Sequence, residues 1–210
     1  MDKQTIEFYN KNASSYAEST INLDISEQQL AFVNQLPLAG KILDAGCGSG
    51  RDLAAFKNLG FEAVGIDASK ELVEIAKNNS KANVYEKTFD QIDWKNEFDG
   101  VWCMASLLHL NRTELKEALF NISAALKPNG KLYASFKSGE GESYDNKGRF
   151  FSYHSIKDLK DIFDEIKVFG NVNFSYGKDT MGRDDTQWIN VNCNKEKPEI
   201  NLKKTNRLKM

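Results

Sequence analysis

The 210-residue chain is 40% hydrophobic and 28% charged, the balance of a globular protein with one sizeable core rather than of a disordered or fibrous one. Its formal net charge of -2 gives no whole-protein attraction to nucleic acid or to an acidic membrane surface, and no stretch approaches the roughly 20 apolar residues that span a bilayer. Cys47, Cys103 and Cys193 have no paired spacing and no histidine beside them, so neither a disulfide framework nor a metal site is expected; with no secretory pattern in MDKQTIEFYNKNASSY, the expected location is the cytoplasm.

Residues 4 to 17 and 27 to 36 read as helices, the second stopped by Pro37. From Lys41 onward, short apolar runs alternate with amphipathic stretches, the pattern of βα units that build a mostly parallel sheet. Strands are predicted at 41 to 45, 62 to 66, 83 to 86, 100 to 103 and 131 to 136. Helices are predicted at 51 to 59, at 70 to 78 with Ser69 as cap, and after Asn111. Asn111 and Glu114 have capping-box spacing, and Leu115, Ala118, Leu119, Ile122, Ala125 and Leu126 share one face of a helix that should end at Pro128-Asn129-Gly130. Another capped helix starts at Ser155 and is followed by closing strands at 167 to 176 and 187 to 192. The expected architecture is one α/β domain over 1 to 194, with residues 1 to 37 as a helical cap. Residues 195 to 210, with six Lys/Arg against Glu196 and Glu199, read as a flexible basic tail.

The segment from Asp44 to Gly50 (DAGCGSG) sets three glycines at every second position, directly after a strand and before a helix. Without a Cβ the chain turns sharply there, and a ligand can lie against backbone amides at the helix start, which points to a nucleotide-like ligand. Asp67, at the end of the second strand, suits the two ribose hydroxyls of an adenosine, although an Asp there also serves as a helix cap. The dinucleotide fingerprint GxGxxG is not met, because position 51 is Arg and the third glycine comes one residue early. Asp44, two residues before the first glycine, suits an ammonium group better than a pyrophosphate, so the cofactor expected is S-adenosyl-L-methionine.

KILDAGCGSG, VGIDAS, FDGVWCMASLLHL and LKPNGKLYASF together resemble the class I S-adenosylmethionine-dependent methyltransferases, most specifically from Leu38 to Lys137. The strings FKSGEGE, GRFF and GRDDTQWIN resemble small bacterial single-domain members. The resemblance implies a Rossmann-like seven-stranded, mostly parallel sheet with one antiparallel strand and helices on both faces. It puts Gly46, Cys47, Gly48 and Gly50 against the methionine half of the cofactor, Asp67 on the ribose, and Cys103 and Met104 near the sulfonium. Thr88 stands where many relatives carry an acidic residue, so Phe89 on the adenine, with Asp90 or the backbone reading its amino group, is the substitute. YNKNASSY resembles a paired-tyrosine segment, in which Tyr9 and Tyr16 either close over the cofactor or simply pack the helix onto the sheet.

Ligands of open α/β sheets gather at the carboxyl ends of the strands. The long connection from 137 to 154, rich in glycine and charge, has the composition of a mobile lid or substrate loop, and the loop from Gly177 to Asp185 opens on the same side if the last strand is antiparallel. Glu140, Glu142, Arg149, Arg183 and Asp184 are candidates to face the acceptor, set against the ordinary role of loop charges as solvated groups. His109, just past the fourth strand, either serves as general base or orients its loop. His154 reads as a residue of the helix start beside Ser155.

Three functions compete at this level. A small-molecule methyltransferase leads, because the chain is short and carries no appended recognition domain. An RNA methyltransferase using the basic tail is disfavoured by the acidic body and the lack of an NPPY-like string after strand four. A binding-only module is the third. Nothing in the sequence specifies the acceptor atom or the oligomeric state.

Overall fold

A computed structural model of the chain describes residues 1–183 and 185–196. Asp184 and residues 197–210, including all of the basic tail after Glu196, lie outside the described residues. Lys195 is not tail: it closes the last strand, and its ammonium donates to the Leu126 carbonyl at 2.7 Å and to Asn96 Oδ1 at 2.8 Å.

Three short helices come first, α1 (Lys3–Lys11), α2 (Ala13–Thr20) and α3 (Ser26–Val33). The single helix expected over 4 to 17 is broken at Asn12, whose side-chain amide and backbone N–H both bond the Phe8 carbonyl and so end α1. The second expected helix ends three residues early. Ahead of Pro37 the chain tightens into i to i+3 bonds, Gln35 N–H to Phe32 and Leu36 N–H to Val33, because the residue before proline avoids the α conformation.

The βα units follow as β1 (Lys41–Ala45), α4 (Arg51–Asn58), β2 (Glu62–Asp67), α5 (Lys70–Ser80), β3 (Asn83–Glu86), β4 (Phe98–Cys103), α6 (Arg112–Ala125) and β5 (Leu126–Lys137). A hairpin of β6 (Glu142–Tyr144) and β7 (Phe150–Ser152) precedes α7 (Ile156–Ile166), β8 (Phe169–Lys178) and β9 (Gln187–Lys195). Ser69 caps α5 by accepting from Leu72 N–H, and the Asn111–Glu114 box caps α6 as its spacing predicts. Pro128-Asn129-Gly130 does not end that helix. α6 stops at Ala125, and the tripeptide forms an irregularity inside β5, with Asn129 at φ 64°.

The main sheet has the order β3-β2-β1-β4-β5-β9-β8, and β9 alone runs against its neighbours. The central strands β1 and β4 alternate their side chains between two buried layers. Leu43, Val101 and Cys103 join α6 and α7 on one face, while Ile42 and Trp102 join α3, α4 and α5 on the other. The seven-stranded, mostly parallel sheet with helices on both faces is therefore the fold of the chain. No described helix is long and apolar enough to cross a membrane.

The connection after β5 is not a free lid. Its hairpin is docked on α1, with Phe150 N–H donating to Thr5 Oγ1 at 2.9 Å and the Tyr144 hydroxyl to Asp2 at 3.1 Å. Asp145 holds the tip by accepting from the amides of Lys147 and Arg149 and from the Arg149 guanidinium.

Candidate functional site

The carboxyl ends of β1 and β2 are tied together by one side chain. Asp67 Oδ2 accepts from the Gly48 amide at 2.9 Å and Oδ1 from the Ser69 amide at 2.9 Å, so a single carboxylate braces the glycine turn and the start of α5. Burial pushes its pKa up, and these amides oppose the shift. Each oxygen keeps a lone pair, and the residue lines a cavity of about 50 Å³ with Ala68, Thr88 and Phe89.

Gly46 takes φ 86°, and a Cβ there would collide with the Ser106 Cβ. The turn therefore packs directly on the residue that leaves β4, whose hydroxyl bonds the Ala45 carbonyl at 2.7 Å. Beneath the turn, Asp44 is 2% exposed and its Oδ2 has no hydrogen-bond partner. Burial, reinforced by the charge of Asp52, holds its carboxyl well above the usual range. A buried acceptor left unsatisfied costs free energy unless a donor reaches it.

A second cavity, of about 150 Å³, opens on the other side of the turn, between Met104, Tyr133 and Ser135, the hairpin, and the loop from Gly177 to Arg183. The two cavities share Tyr9, Tyr16, Gly46, Gly48, Ala105 and His109, so they form one cleft divided by the two tyrosines. The rings of Tyr9 and Tyr16 meet edge to face at 5.1 Å. His109 is 4% exposed, with Nδ1 2.6 Å from the Phe150 carbonyl and Nε2 3.0 Å from the Tyr9 hydroxyl. Burial, with Arg149 and Lys137 adding to it, pulls its pKa down to about 4, so the imidazole is neutral near pH 7.

Residues 42–130, which carry the glycine turn, Asp67 and His109, match the model of a methyltransferase domain family. That segment is a methyltransferase domain by its match to the family. A ubiquinone biosynthesis O-methyltransferase of Coxiella burnetii is 30% identical over 119 residues, covering 53% of this chain and 50% of that protein. This chain thus spans about half the length of that curated relative. An uncharacterized methyltransferase of Alkaliphilus oremlandii is 26% identical over 155 residues, 69% of this chain and 72% of its own. In structure the chain is similar to the Burkholderia thailandensis 1,6-didemethyltoxoflavin-N1-methyltransferase with bound 1,6-didemethyltoxoflavin and S-adenosylhomocysteine, at a TM-score of 0.74 and 18% identity, covering 91% of this chain and 85% of that one.

Cys47 and Met104 line the larger cavity, Asp67 and Phe89 the smaller, and Tyr9, Tyr16, Gly46, Gly48 and His109 both. Arg149 and Arg183 also line the larger cavity. Several expectations are corrected. Gly50 lines neither cavity; at φ 79° it faces α5, where a Cβ would come within 2.8 Å of Ala76 Cα, so it serves helix packing. Cys103 is fully buried in the core against α6, because it is the last strand residue on that face and only Met104 passes beyond the strand end. Asp90 is exposed in the turn after Thr88 and lines neither cavity, and the same holds for Glu140 and Glu142 on the outer side of the hairpin. His109 presents no free nitrogen to an acceptor, since both are bonded within the protein. His154 is buried and bonds Ser152 Oγ at 3.1 Å, so it secures the hairpin base.

Other residues that line the cleft carry little signal in the sequence. Asp52 is buried and accepts from Trp102 Nε1, Gln29 Nε2 and Arg51 Nε at 2.7–2.9 Å, which holds Arg51 along the cavity wall beside Thr20. The one signal is the charged pair Arg51-Asp52 directly after Gly50. Tyr133, stacked on Trp102 at 4.0 Å, donates to Asn190 Oδ1 at 2.9 Å, and Lys137 ends β5 at the cavity wall. Nothing local distinguishes these from ordinary strand residues.

Proposed function

We propose that this chain transfers a methyl group from S-adenosylmethionine to a small-molecule acceptor. The observation that carries the reading is the position of Asp67, which braces the Gly48 amide and still faces the smaller cavity at the end of β2. The residues present fit the cofactor. Asp44 lines neither cavity, but beneath the turn it offers a buried, unpartnered carboxyl oxygen that suits an ammonium group directly or through water, and Asp67 keeps acceptor capacity for a ribose diol. Gly46, Cys47 and Gly48 would lie along the methionine half, Met104 near the sulfonium, and Phe89 with the backbone beside Thr88 at the base. Arg51, fixed by Asp52, is suited to the methionine carboxylate.

S-adenosylmethionine supplies an activated methyl group on a sulfonium, so the chain's own contribution is alignment and exclusion of water. Tyr9 and Tyr16 cover the glycine turn, and the larger cavity beyond Met104 takes the acceptor. A small acceptor is supported by the size of that cavity, about 150 Å³, and by the similar proteins named above, an O-methyltransferase of ubiquinone biosynthesis and a 1,6-didemethyltoxoflavin N1-methyltransferase. The three cysteines are free and buried, in keeping with a cytoplasmic protein.

Calorimetry with S-adenosylmethionine, S-adenosylhomocysteine and a nicotinamide dinucleotide tests the reading. The first two are expected to bind and the third is not. Binding of the dinucleotide alone overturns it. Labelled S-adenosylmethionine incubated with cell extract then identifies the acceptor from the mass of the labelled product.

A further inference from the structure

Lys137 ends β5 on the wall of the larger cavity. Its ammonium lies 3.9 Å from the centre of the Phe151 ring, and among the described residues it forms no ion pair and donates no hydrogen bond. A lysine with no partner usually carries its head out to water. This one is half-buried, and the other cations of the same wall crowd it: burial lowers its pKa, and the charges of Arg183 and Arg149 lower it further.

Those two guanidiniums differ from Lys137 in already having partners. Arg149 is clamped by Asp145 at 2.7 and 2.9 Å and rests 5.0 Å from the ring centres of Phe8 and Phe151. Arg183 is paired with Asp179, which also accepts from Trp188 Nε1 at 2.9 Å. Each pair is close to neutral, so among the described residues Lys137 is the uncompensated charge of the group. Three cations converge where two carboxylates hold two of them in place, and the third keeps all its donors.

Resting on the methyl-transfer reading above, we propose that the methyl acceptor is an organic anion, a carboxylate or a phosphate monoester, whose charged group binds Lys137 between Arg149 and Arg183. A cationic acceptor meets repulsion at this wall, and a neutral one leaves the ammonium uncompensated. Arg51, beside the glycine turn, is the cation offered to the cofactor's own carboxylate, and it is already paired with Asp52, so S-adenosylhomocysteine enters the test to separate the two uses of Lys137.

The test uses the full chain, with and without S-adenosylhomocysteine, and four probes of matched size: benzoate, phenyl phosphate, benzyl alcohol and benzylamine. At least one anion is expected to bind more tightly than the alcohol and the amine. Lys137→Met is expected to weaken that anion by about tenfold to a hundredfold, the worth of one hydrogen bond to a charged group, and Lys137→Gln by a similar factor. Preference for benzoate or for phenyl phosphate distinguishes a carboxylate from a phosphate acceptor. The proposal is overturned if the alcohol or amine binds as well as the anions, if no anion binds, or if the Lys137 variants leave anion affinity unchanged. It is also overturned if Lys137→Met weakens S-adenosylhomocysteine instead, since the lysine then serves the cofactor. Failure of the wild-type chain to bind S-adenosylhomocysteine at all is a separate result, and it sinks the methyl-transfer reading rather than the anion site.

Discussion

The Tyr9 hydroxyl donates its proton to His109 Nε2 across 3.0 Å. The direction follows from the other ring nitrogen: Nδ1 lies 2.6 Å from the Phe150 carbonyl, which can only accept, so the imidazole carries its proton there and leaves Nε2 bare. A bare Nε2 behind a phenol makes Tyr9 the group that faces the cleft and His109 the residue that fixes its orientation. The pair joins α1, the loop after β4 and the hairpin in one bonded chain. A double-mutant cycle with Tyr9→Phe and His109→Ala, read by urea unfolding, should show a coupling of about 1 kcal/mol. Strictly additive losses would mean that the two side chains act independently.

The neutral imidazoles also set an acid limit. His109 and His154 are both held near 4 by burial, against 6.5 in an exposed chain. As pH falls below 6.5 the unfolded chain takes up protons first, so the stability contributed by each neutral ring is present at pH 7 and is lost progressively toward pH 4. Two to three units correspond to about 3 kcal/mol for each fully buried ring. Asp44 and Asp67, whose pKa values are raised, act in the opposite direction, so the raw pH profile mixes signs. The loss of stability caused by His109→Ala isolates one ring: it should be smaller at pH 4.5 than at pH 7.5 in urea titrations.

Two glycines of the turn should separate folding from binding. Gly46→Ala forces a Cβ into Ser106, whose hydroxyl is already committed to the Ala45 carbonyl, at a residue with φ 86°. Left-handed strain and overpacking together predict a loss of about 2 to 4 kcal/mol in urea unfolding, and a damaged cofactor site in what remains folded. Gly50→Ala meets Ala76 backbone at 2.8–2.9 Å and should lose a similar amount of stability. Because Gly50 faces α5 and not the cleft, the folded fraction should keep its affinity for S-adenosylmethionine in calorimetry. Gly60→Ala, at φ 88° with nothing within 4 Å, is the control for strain alone, about 1 to 2 kcal/mol.

What could be read ahead of the structure was local. The strand, glycine turn and helix from Lys41 to Asn58, the acid at the tip of β2, and the capped helix after Asn111 each declare themselves within a few residues. What could not be read depends on partners far along the chain. Cys103 and Met104 are neighbours, yet one is in the core and the other lines the cleft, because the strand ends between them. Gly50 resembles Gly46 and Gly48 until α5 is packed beside it. The strands of the hairpin are three residues each, too short to show alternation, and Thr5, 145 residues earlier, fixes Phe150 in place. Lys137 is unremarkable until β9 and the hairpin bring Arg183 and Arg149 to its side.

The two acids at the strand tips should respond in opposite ways. Asp67 carries structural and binding duties together, because its oxygens already hold the Gly48 and Ser69 amides. Asp67→Ala is therefore expected to lower the melting temperature and to weaken S-adenosylmethionine binding, by about 1.5 to 3 kcal/mol for each hydrogen bond lost to the charged group. Asp44 supports nothing in the ligand-free fold: its Oδ2 has no partner, and the charge of Asp52 opposes its ionisation. Asp44→Asn removes a buried acid whose ionisation Asp52 opposes, without changing shape, so the melting temperature at pH 7 should hold or rise while affinity for S-adenosylmethionine falls about tenfold or more. Calorimetry and thermal unfolding on the same two variants decide the matter. If Asp44→Asn lowered the melting temperature and left affinity intact, the buried acid would belong to the scaffold, and the turn would hold its ligand by backbone alone.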